Sequence, residues 1–264
     1  MAPLSIKDFI PYYPEITDTQ LQSKIKIKSE FKTLPRNDIP IMNQNNKYEF
    51  LAHQKNISRF LSGYTPYNEL LVFHSMGTGK TNCIIASIEQ IRNEKQVKFN
   101  GVLILFRNGA QIKKFKEVDL PRVIDVPNSK VLKSWYKTST VGTFLSSLTN
   151  ITKYDNYMIF IDEVHNIRKD DTRISNQYVR LNDFLKQVKN CKIVLLSGTP
   201  MVDSSLEIYD LMNLLLPQNE QINVGNISQL KQKIQGRISY INALQDERVK
   251  TVYEVNKNVQ QNIQ

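Results

Sequence analysis

The stretch from Glu69 to Thr81 constrains the fold more than any other part of the chain. Glu69-Leu70-Leu71-Val72-Phe73 is apolar throughout, short and strand-sized, and it runs into His74-Ser75-Met76-Gly77-Thr78-Gly79-Lys80-Thr81, after which a helical pattern begins. A strand apolar on both faces belongs inside a parallel sheet covered on both sides. Gly77 and Gly79 permit backbone angles that turn amides inward, and the following helix directs its positive dipole end at the same point. Such a turn is built to hold phosphate. Lys80 is placed to bridge the β and γ phosphates of a nucleoside triphosphate, and the Thr81 hydroxyl to hold a magnesium ion. The strict form of this loop begins with Gly where this chain has His74.

The surrounding pattern supports an α/β chain. Strands are expected near Glu69 to Phe73, Gly101 to Phe106, Val131 to Tyr136, Tyr157 to Asp162 and Lys192 to Ser197. Helices are expected at Lys80 to Asn93, Ala110 to Val118, Val141 to Leu148, Ile174 to Val188, Leu206 to Leu215 and Gln229 to Ile234. Strands alternating with helices predict a parallel sheet with helices on both faces and ligand loops along the carboxyl edge of the strands. At 264 residues the chain has room for one large domain with appended segments but not comfortably for two full ATPase lobes. We divide it into an extension over 1–47, a nucleotide-binding lobe over 48–217 and a helical or linker segment over 218–264.

Two further segments carry chemistry. Tyr157-Met158-Ile159-Phe160-Ile161 delivers Asp162-Glu163-Val164-His165 to a strand end, where Asp162 would anchor magnesium and Glu163 would orient and deprotonate the water attacking the γ phosphate. Lys192 to Ser197 ends in Ser197-Gly198-Thr199-Pro200, and the hydroxyls of Ser197 and Thr199, with His165, are candidates for relaying nucleotide state. Each segment alone is turn chemistry. In this order after a phosphate loop, the agreement of independent signals favours a nucleotide site. Gln54, on a helix shortly before the loop, has an amide suited to bidentate contact with an adenine edge. For the adjacent His53 the expectation is packing alone.

Charge and rare residues narrow the class. With 35 Lys and Arg against 25 Asp and Glu, the net charge of +10 suits a surface that meets phosphate, in nucleic acid or anionic lipid. The apolar runs are too short to span a membrane, and Met1 to Ile10 lacks the pattern of a secretory leader, so the sequons at Asn56, Asn150 and Asn226 are expected to stay unmodified. Two cysteines, Cys83 and Cys191, and three histidines lack metal-ligand spacing, which points to buried thiols in a reducing compartment rather than a structural zinc.

Gln54, the loop ending Gly79-Lys80-Thr81, Asp162-Glu163-Val164-His165 and Ser197-Gly198-Thr199-Pro200 together resemble the ordered motifs of superfamily 2 helicases and SWI/SNF-like translocases over Tyr48 to Pro217. More narrowly, Leu71 to His74, Asp162 to Ile167 and Gly236-Arg237-Ile238-Ser239-Tyr240 resemble the nucleoside triphosphate phosphohydrolase I and early-transcription-factor ATPases of large cytoplasmic DNA viruses. The resemblance implies a first RecA-like lobe using ATP and Mg2+, with Arg107 and Asn108 in a loop touching the nucleic-acid backbone and Thr143, within Thr140 to Phe144, in a second. It implies DNA or RNA as partner, a transcription complex, and a cytoplasmic site such as a viral factory or virion core. It also implies a second RecA-like lobe, in cis or trans, supplying arginine fingers and without which hydrolysis would be weak. Gln235-Gly236-Arg237 looks superficially like that lobe's arginine motif, but it follows the first lobe too closely and is expected to lead away from it. The alternative reading is a non-catalytic nucleotide-sensing or scaffold module of a transcription or packaging complex. A small-molecule kinase on the same loop would have no need of the Asp-Glu-x-His and Ser-Gly-Thr-Pro segments.

Overall fold

A computed structural model describes residues 12–32, 48–94, 99–123, 135–167, 174–199 and 206–241. Its centre is a parallel six-stranded sheet in the order β3-β2-β4-β5-β1-β6, built from β1 (Glu69–His74), β2 (Gly101–Phe106), β3 (Tyr136–Thr140), β4 (Tyr157–Ile161), β5 (Lys192–Ser197) and β6 (Ile238–Ile241). The helices are α1 (Leu21–Lys26), α2 (Ser29–Lys32), α3 (Ala52–Phe60), α4 (Lys80–Asn93), α5 (Gly109–Lys114), α6 (Leu120–Val123), α7 (Val141–Ser147), α8 (Ile174–Gln187), α9 (Glu207–Leu215) and α10 (Ile227–Ile234). A π-helical turn, Phe115–Asp119, joins α5 to α6.

Alternation along the strands explains the two layers. Leu71, Leu103, Leu105, Ile159, Ile161 and Leu195 face one side and pack with Phe144, Leu181, Phe184 and Met212 from α7, α8 and α9. Their neighbours Leu70, Val72, Ile104, Phe160, Val194 and Leu196 face the other side and meet Ile57, Ile84, Ile85 and Ile88 from α3 and α4. Successive side chains on a strand point to opposite faces, so an apolar run fills both cores at once. Each buried Leu or Ile contributes about 1.5–3 kcal/mol.

Three expectations need correction. The third strand is not Val131 to Tyr136 but Tyr136–Thr140, beside β2 at the sheet edge; residues 131–134 lie outside the described residues. An edge strand is half solvated, so its Lys, Thr and Ser residues are admissible and the more apolar preceding stretch misleads. The segment after Pro217 is not merely a connection, because Ile238–Ile241 joins β1 as a sixth strand and the sheet continues past the expected boundary. Arg237 does not lead away. It is buried, its carbonyl accepts from Leu71 N–H, and its guanidinium faces Glu69 at 3.8 Å. That places it at the amino end of β1, roughly four residues or ~13 Å of strand from the phosphate loop. The extension also contacts the lobe, with Leu21 buried and Tyr67 Oη donating to Pro14 O at 2.7 Å.

Candidate active site

The parallel sheet brings the carboxyl ends of β1, β4 and β5 to one edge, where the phosphate loop, Asp162-Glu163 and Ser197 meet. Because β5 lies between β1 and β4, the Ser197 loop separates the phosphate loop from the acidic pair by one strand. Adjacent strands are about 4.8 Å apart, so β1 and β4 stand roughly 10 Å apart, room for phosphates and an ion.

In the phosphate loop, Gly77 and Gly79 have φ of 84° and 81°, and Gly79 caps α4. Lys80 Nζ donates to the His74 carbonyl at 3.1 Å and lies 3.0 Å from where a β-carbon on Gly198 would sit. The lysine is thus folded back across its own loop, next to the Ser-Gly-Thr turn. Thr78 Oγ1 donates to the Ser75 carbonyl at 2.7 Å, and Met76 is exposed at the tip. Thr81 stands in the first turn of α4, half-buried.

Helix α3 buttresses this loop in a way its sequence only partly announces. Gln54 is fully buried, accepts from Leu51 N–H at 2.9 Å and donates to the Gly79 carbonyl at 3.3 Å. Both ends of its amide are therefore engaged in the protein, so reading an adenine edge would require giving up those bonds. Its geometry is that of a loop support. His53, expected only to pack, has Nε2 3.0 Å from the Thr78 carbonyl and its ring edge-on to His74 at 5.4 Å. Tyr48 accepts from Asn82 Nδ2 at 2.6 Å, which ties the segment before α3 to α4.

His74 is fully buried and its Nε2 lies 2.9 Å from Ser239 Oγ on β6. Burial, with the neighbouring His53 and Lys80 charges adding, pushes the imidazole down to about 3, so it is neutral. His53, His74 and Cys83 come within 4.8 Å of one another through the fold, although nothing in their spacing predicts it. Burial holds the Cys83 thiol up at about 12, a neutral packing group.

Asp162 is 8% exposed and its carboxyl is raised to about 6, first by burial and then by Glu163, with Lys80 opposing. A buried acid that resists ionisation beside a second acid fits a site for a cation, which would relieve both costs. Glu163 sits at φ 52°, a strained angle for a non-glycine residue, and its carbonyl accepts from Asn166 Nδ2 at 2.9 Å. Its carboxylate is partly exposed, with Oε2 3.4 Å from His165 Nδ1.

The three coupling candidates converge. His165 Nδ1 is 2.9 Å from Ser197 Oγ and 3.4 Å from Glu163 Oε2, and Thr199 N–H donates to Ser197 Oγ at 3.1 Å. Pro200 lies outside the described residues. The expected nucleic-acid contacts lie farther along the same edge, at the ends of the adjacent strands β2 and β3. Arg107 and Thr143 are exposed there. Asn108 is exposed but its Oδ1 caps α5 by accepting from Gln111 N–H at 3.0 Å. Thr143 is not in a loop. It lies in the first turn of α7, whose cap Thr140 accepts from Thr143 N–H at 3.2 Å.

Residues 136–258 match the family model described as the SNF2-related domain. The protein named as a helicase, 009L, of Frog virus 3 (isolate Goorha) is 32% identical over 73% of this chain and 24% of its own length. The early transcription factor 70 kDa subunit of Melanoplus sanguinipes entomopoxvirus is 27% identical over 73% of this chain and 32% of its own. Among solved structures, the Sulfolobus solfataricus SWI2/SNF2 ATPase core in complex with dsDNA superposes with a TM-score of 0.55 at 17% identity, over 75% of this chain and 45% of that one. With the parallel sheet, phosphate loop and acidic strand end, these matches define a RecA-like ATPase fold of the helicase type. Over residues 136–258 the chain resembles the SNF2-related domain, and it is similar to proteins named as viral helicases and as an early transcription factor subunit. It spans about a quarter to a third of the length of the two relatives compared.

Proposed function

We propose that this chain is the first RecA-like lobe of a nucleic-acid-dependent ATPase, a helicase or translocase in viral transcription. The observation that carries the reading is the convergence of Lys80, Asp162, Glu163 and the His165–Ser197 hydrogen bond along one sheet edge. In this reading, the loop amides from Ser75 to Gly79 and Lys80 bind the phosphates. Thr81 and Asp162 are the residues that would hold Mg2+, which when bound neutralises charge on the β and γ phosphates. Glu163 orients the attacking water and accepts its proton. His165, Ser197 and Thr199 respond to loss of the γ phosphate. Gln54 supports the loop, and any adenine contact it makes comes by exchanging its bond to Gly79.

Phosphoryl transfer leaves charge on the γ oxygens that Lys80 alone offsets only in part, so turnover is slow until a second lobe adds arginines across the cleft. Arg107 and the helix start at Thr143 form the surface that meets the nucleic-acid backbone, with the chain's positive balance drawing it in. A transcription complex in a viral factory or virion core is the setting we assign, by analogy with the relatives.

Calorimetry with Mg–ATP tests the nucleotide step. Binding is expected in the natural protein and loss of it in Lys80→Ala. Equal binding by both proteins, or none by the natural one, would remove the assignment. An ATPase assay with added single- or double-stranded nucleic acid tests the motor. Stimulation supports it, and a flat response favours the sensing or scaffold module.

A further inference from the structure

We propose that Ser239 is a positioning residue for the phosphate loop, and that through it β6 reports nucleotide state to the chain that follows Ile241. This inference rests on the ATP-binding reading above and assigns a role to the Gly236-Arg237-Ile238-Ser239-Tyr240 segment, which none of the nucleotide motifs absorbs.

The geometry is a short polar line through an apolar interior. His74 opens the phosphate loop and is fully buried. One ring nitrogen, Nε2, meets Ser239 Oγ at 2.9 Å, while Nδ1 has no hydrogen-bond partner among the described residues. An unpaired buried N–H costs more than an unpaired lone pair, so the proton belongs on Nε2 and Ser239 is its acceptor. Remove the hydroxyl and the ring keeps no hydrogen-bond partner among the described residues at either nitrogen. The same residue carries the carbonyl that receives Lys80 Nζ at 3.1 Å, so the orientation of His74 and the parking place of Lys80 are properties of one peptide. A second strand contact lies immediately beyond, where Ser75 N–H donates to the Ile241 carbonyl at 2.9 Å. Phe73 and Tyr240 pack with ring centroids 5.0 Å apart and planes tilted by 57° on the intervening register pair.

Nucleotide would draw Lys80 off the His74 carbonyl and onto phosphate, and would order the loop amides from Ser75 onward. Both changes act on His74 and Ser75, two of the residues that join β1 and its loop to β6. Among the described residues β6 is the edge strand, with β1 as its single neighbour in the sheet, so a change in this ladder passes directly to it. Linkage then requires the reverse, that loosening β6 weakens nucleotide binding.

Hydrogen exchange on the full chain tests this, with Mg2+ and a β,γ-imido analogue of ATP as the probe. Three proteins are compared: the natural chain, Ser239→Thr, which keeps the hydroxyl, and Ser239→Val, which matches the threonine variant in shape without it. In the natural chain and in Ser239→Thr, the probe is expected to slow exchange in both the loop (74–81) and β6 (236–241). In Ser239→Val the loop should still respond while the β6 response falls at least threefold, with affinity reduced about tenfold, the order expected for a buried donor left unpaired. Ser239→Ala repeats that arm should valine not fold. Equal β6 responses in the valine and threonine proteins would overturn the proposal, as would a silent β6 in the natural chain whose loop responds. A loop that does not respond in the natural chain overturns the ATP-binding reading itself, and the inference with it.

Discussion

Gly79→Ala should cost more than Gly77→Ala, and the difference should be traceable to Gln54. Both glycines have positive φ, 84° at Gly77 and 81° at Gly79, so either alanine is expected to cost roughly 1–2 kcal/mol in backbone strain. Their surroundings differ. A β-carbon at Gly77 meets nothing within 4 Å, whereas one at Gly79 lands 2.6 Å from Gln54 Nε2. Gln54 must retreat, breaking its 3.3 Å bond to the Gly79 carbonyl inside a fully buried site. A buried amide donor left without a partner costs about 1–3 kcal/mol, so Gly79→Ala should total roughly 2–5 kcal/mol. Urea unfolding of the two variants measures the difference, and thermal melting should separate them by roughly 2–4 °C for each kcal/mol. Adding Gln54→Ala to Gly79→Ala completes a cycle. Because Gln54 is the obstacle, the double variant should be less damaged than the sum of the singles by about 1 kcal/mol or more. Equal costs at the two glycines, or strict additivity in the cycle, would refute the role given to Gln54 as a support of the loop.

Three further outcomes follow from the site. Glu163→Gln should bind Mg–ATP as the natural protein does while losing turnover by about 10²-fold or more, read by calorimetry beside a phosphate-release assay; undiminished hydrolysis would exclude it as the base. Asp162 is raised from 3.8 to about 6, so the native state holds the extra proton between those values, and without nucleotide its stability should fall as pH rises through that window. Asp162→Asn should therefore stabilise the nucleotide-free protein by ~1–3 kcal/mol at pH 7 and by almost nothing near pH 4, and a pH-independent difference in urea unfolding would contradict the buried-acid argument. Ser197→Ala removes a fully buried hydroxyl shared by His165 and Thr199 N–H, and should lower nucleic-acid-stimulated turnover more than nucleotide affinity; equal losses in both would reduce Ser197 to a structural part.

The legible parts of the chain were those whose physics is local. β2, β5 and α4 begin and end where apolar runs and helical periodicity place them, because a strand buried on both faces admits few polar residues. The phosphate loop is legible because strand, glycine turn and helix dipole all act within a dozen consecutive residues. β3 and β6 are not, since edge strands are half wet and Tyr136-Lys137-Thr138-Ser139-Thr140 or Ile238-Ser239-Tyr240-Ile241 can pass for turns. The contacts of His53 and Ser239 with the loop are long-range products of topology. The Ser239 bond spans 165 positions, and no window on the sequence contains both partners. Gln54 is read from the sequence as an adenine contact, and the partner its amide meets in the fold is a loop carbonyl.

Strand order gives these contacts a common logic. β1 ends in the phosphate loop and has two neighbours in the sheet, β5 on one side and β6 on the other. Toward β5, Lys80 lies against Gly198, and the adjoining Ser197 is bonded to His165 of the acidic segment. Toward β6, the loop is bonded through His74 to Ser239 and through Ser75 to Ile241. In the proposed site, a movement of Lys80 from the His74 carbonyl to a phosphate would be felt on both flanks at once. The β5 side leads toward the proposed catalytic acid, where Glu163 sits 3.4 Å from His165, and the β6 side leads away from it. If the two flanks are separate outputs, Ser197→Ala and Ser239→Val should have independent effects, additive in a double variant for nucleotide affinity. Coupling beyond about 0.5 kcal/mol in that cycle would mean that Lys80 transmits one signal to both.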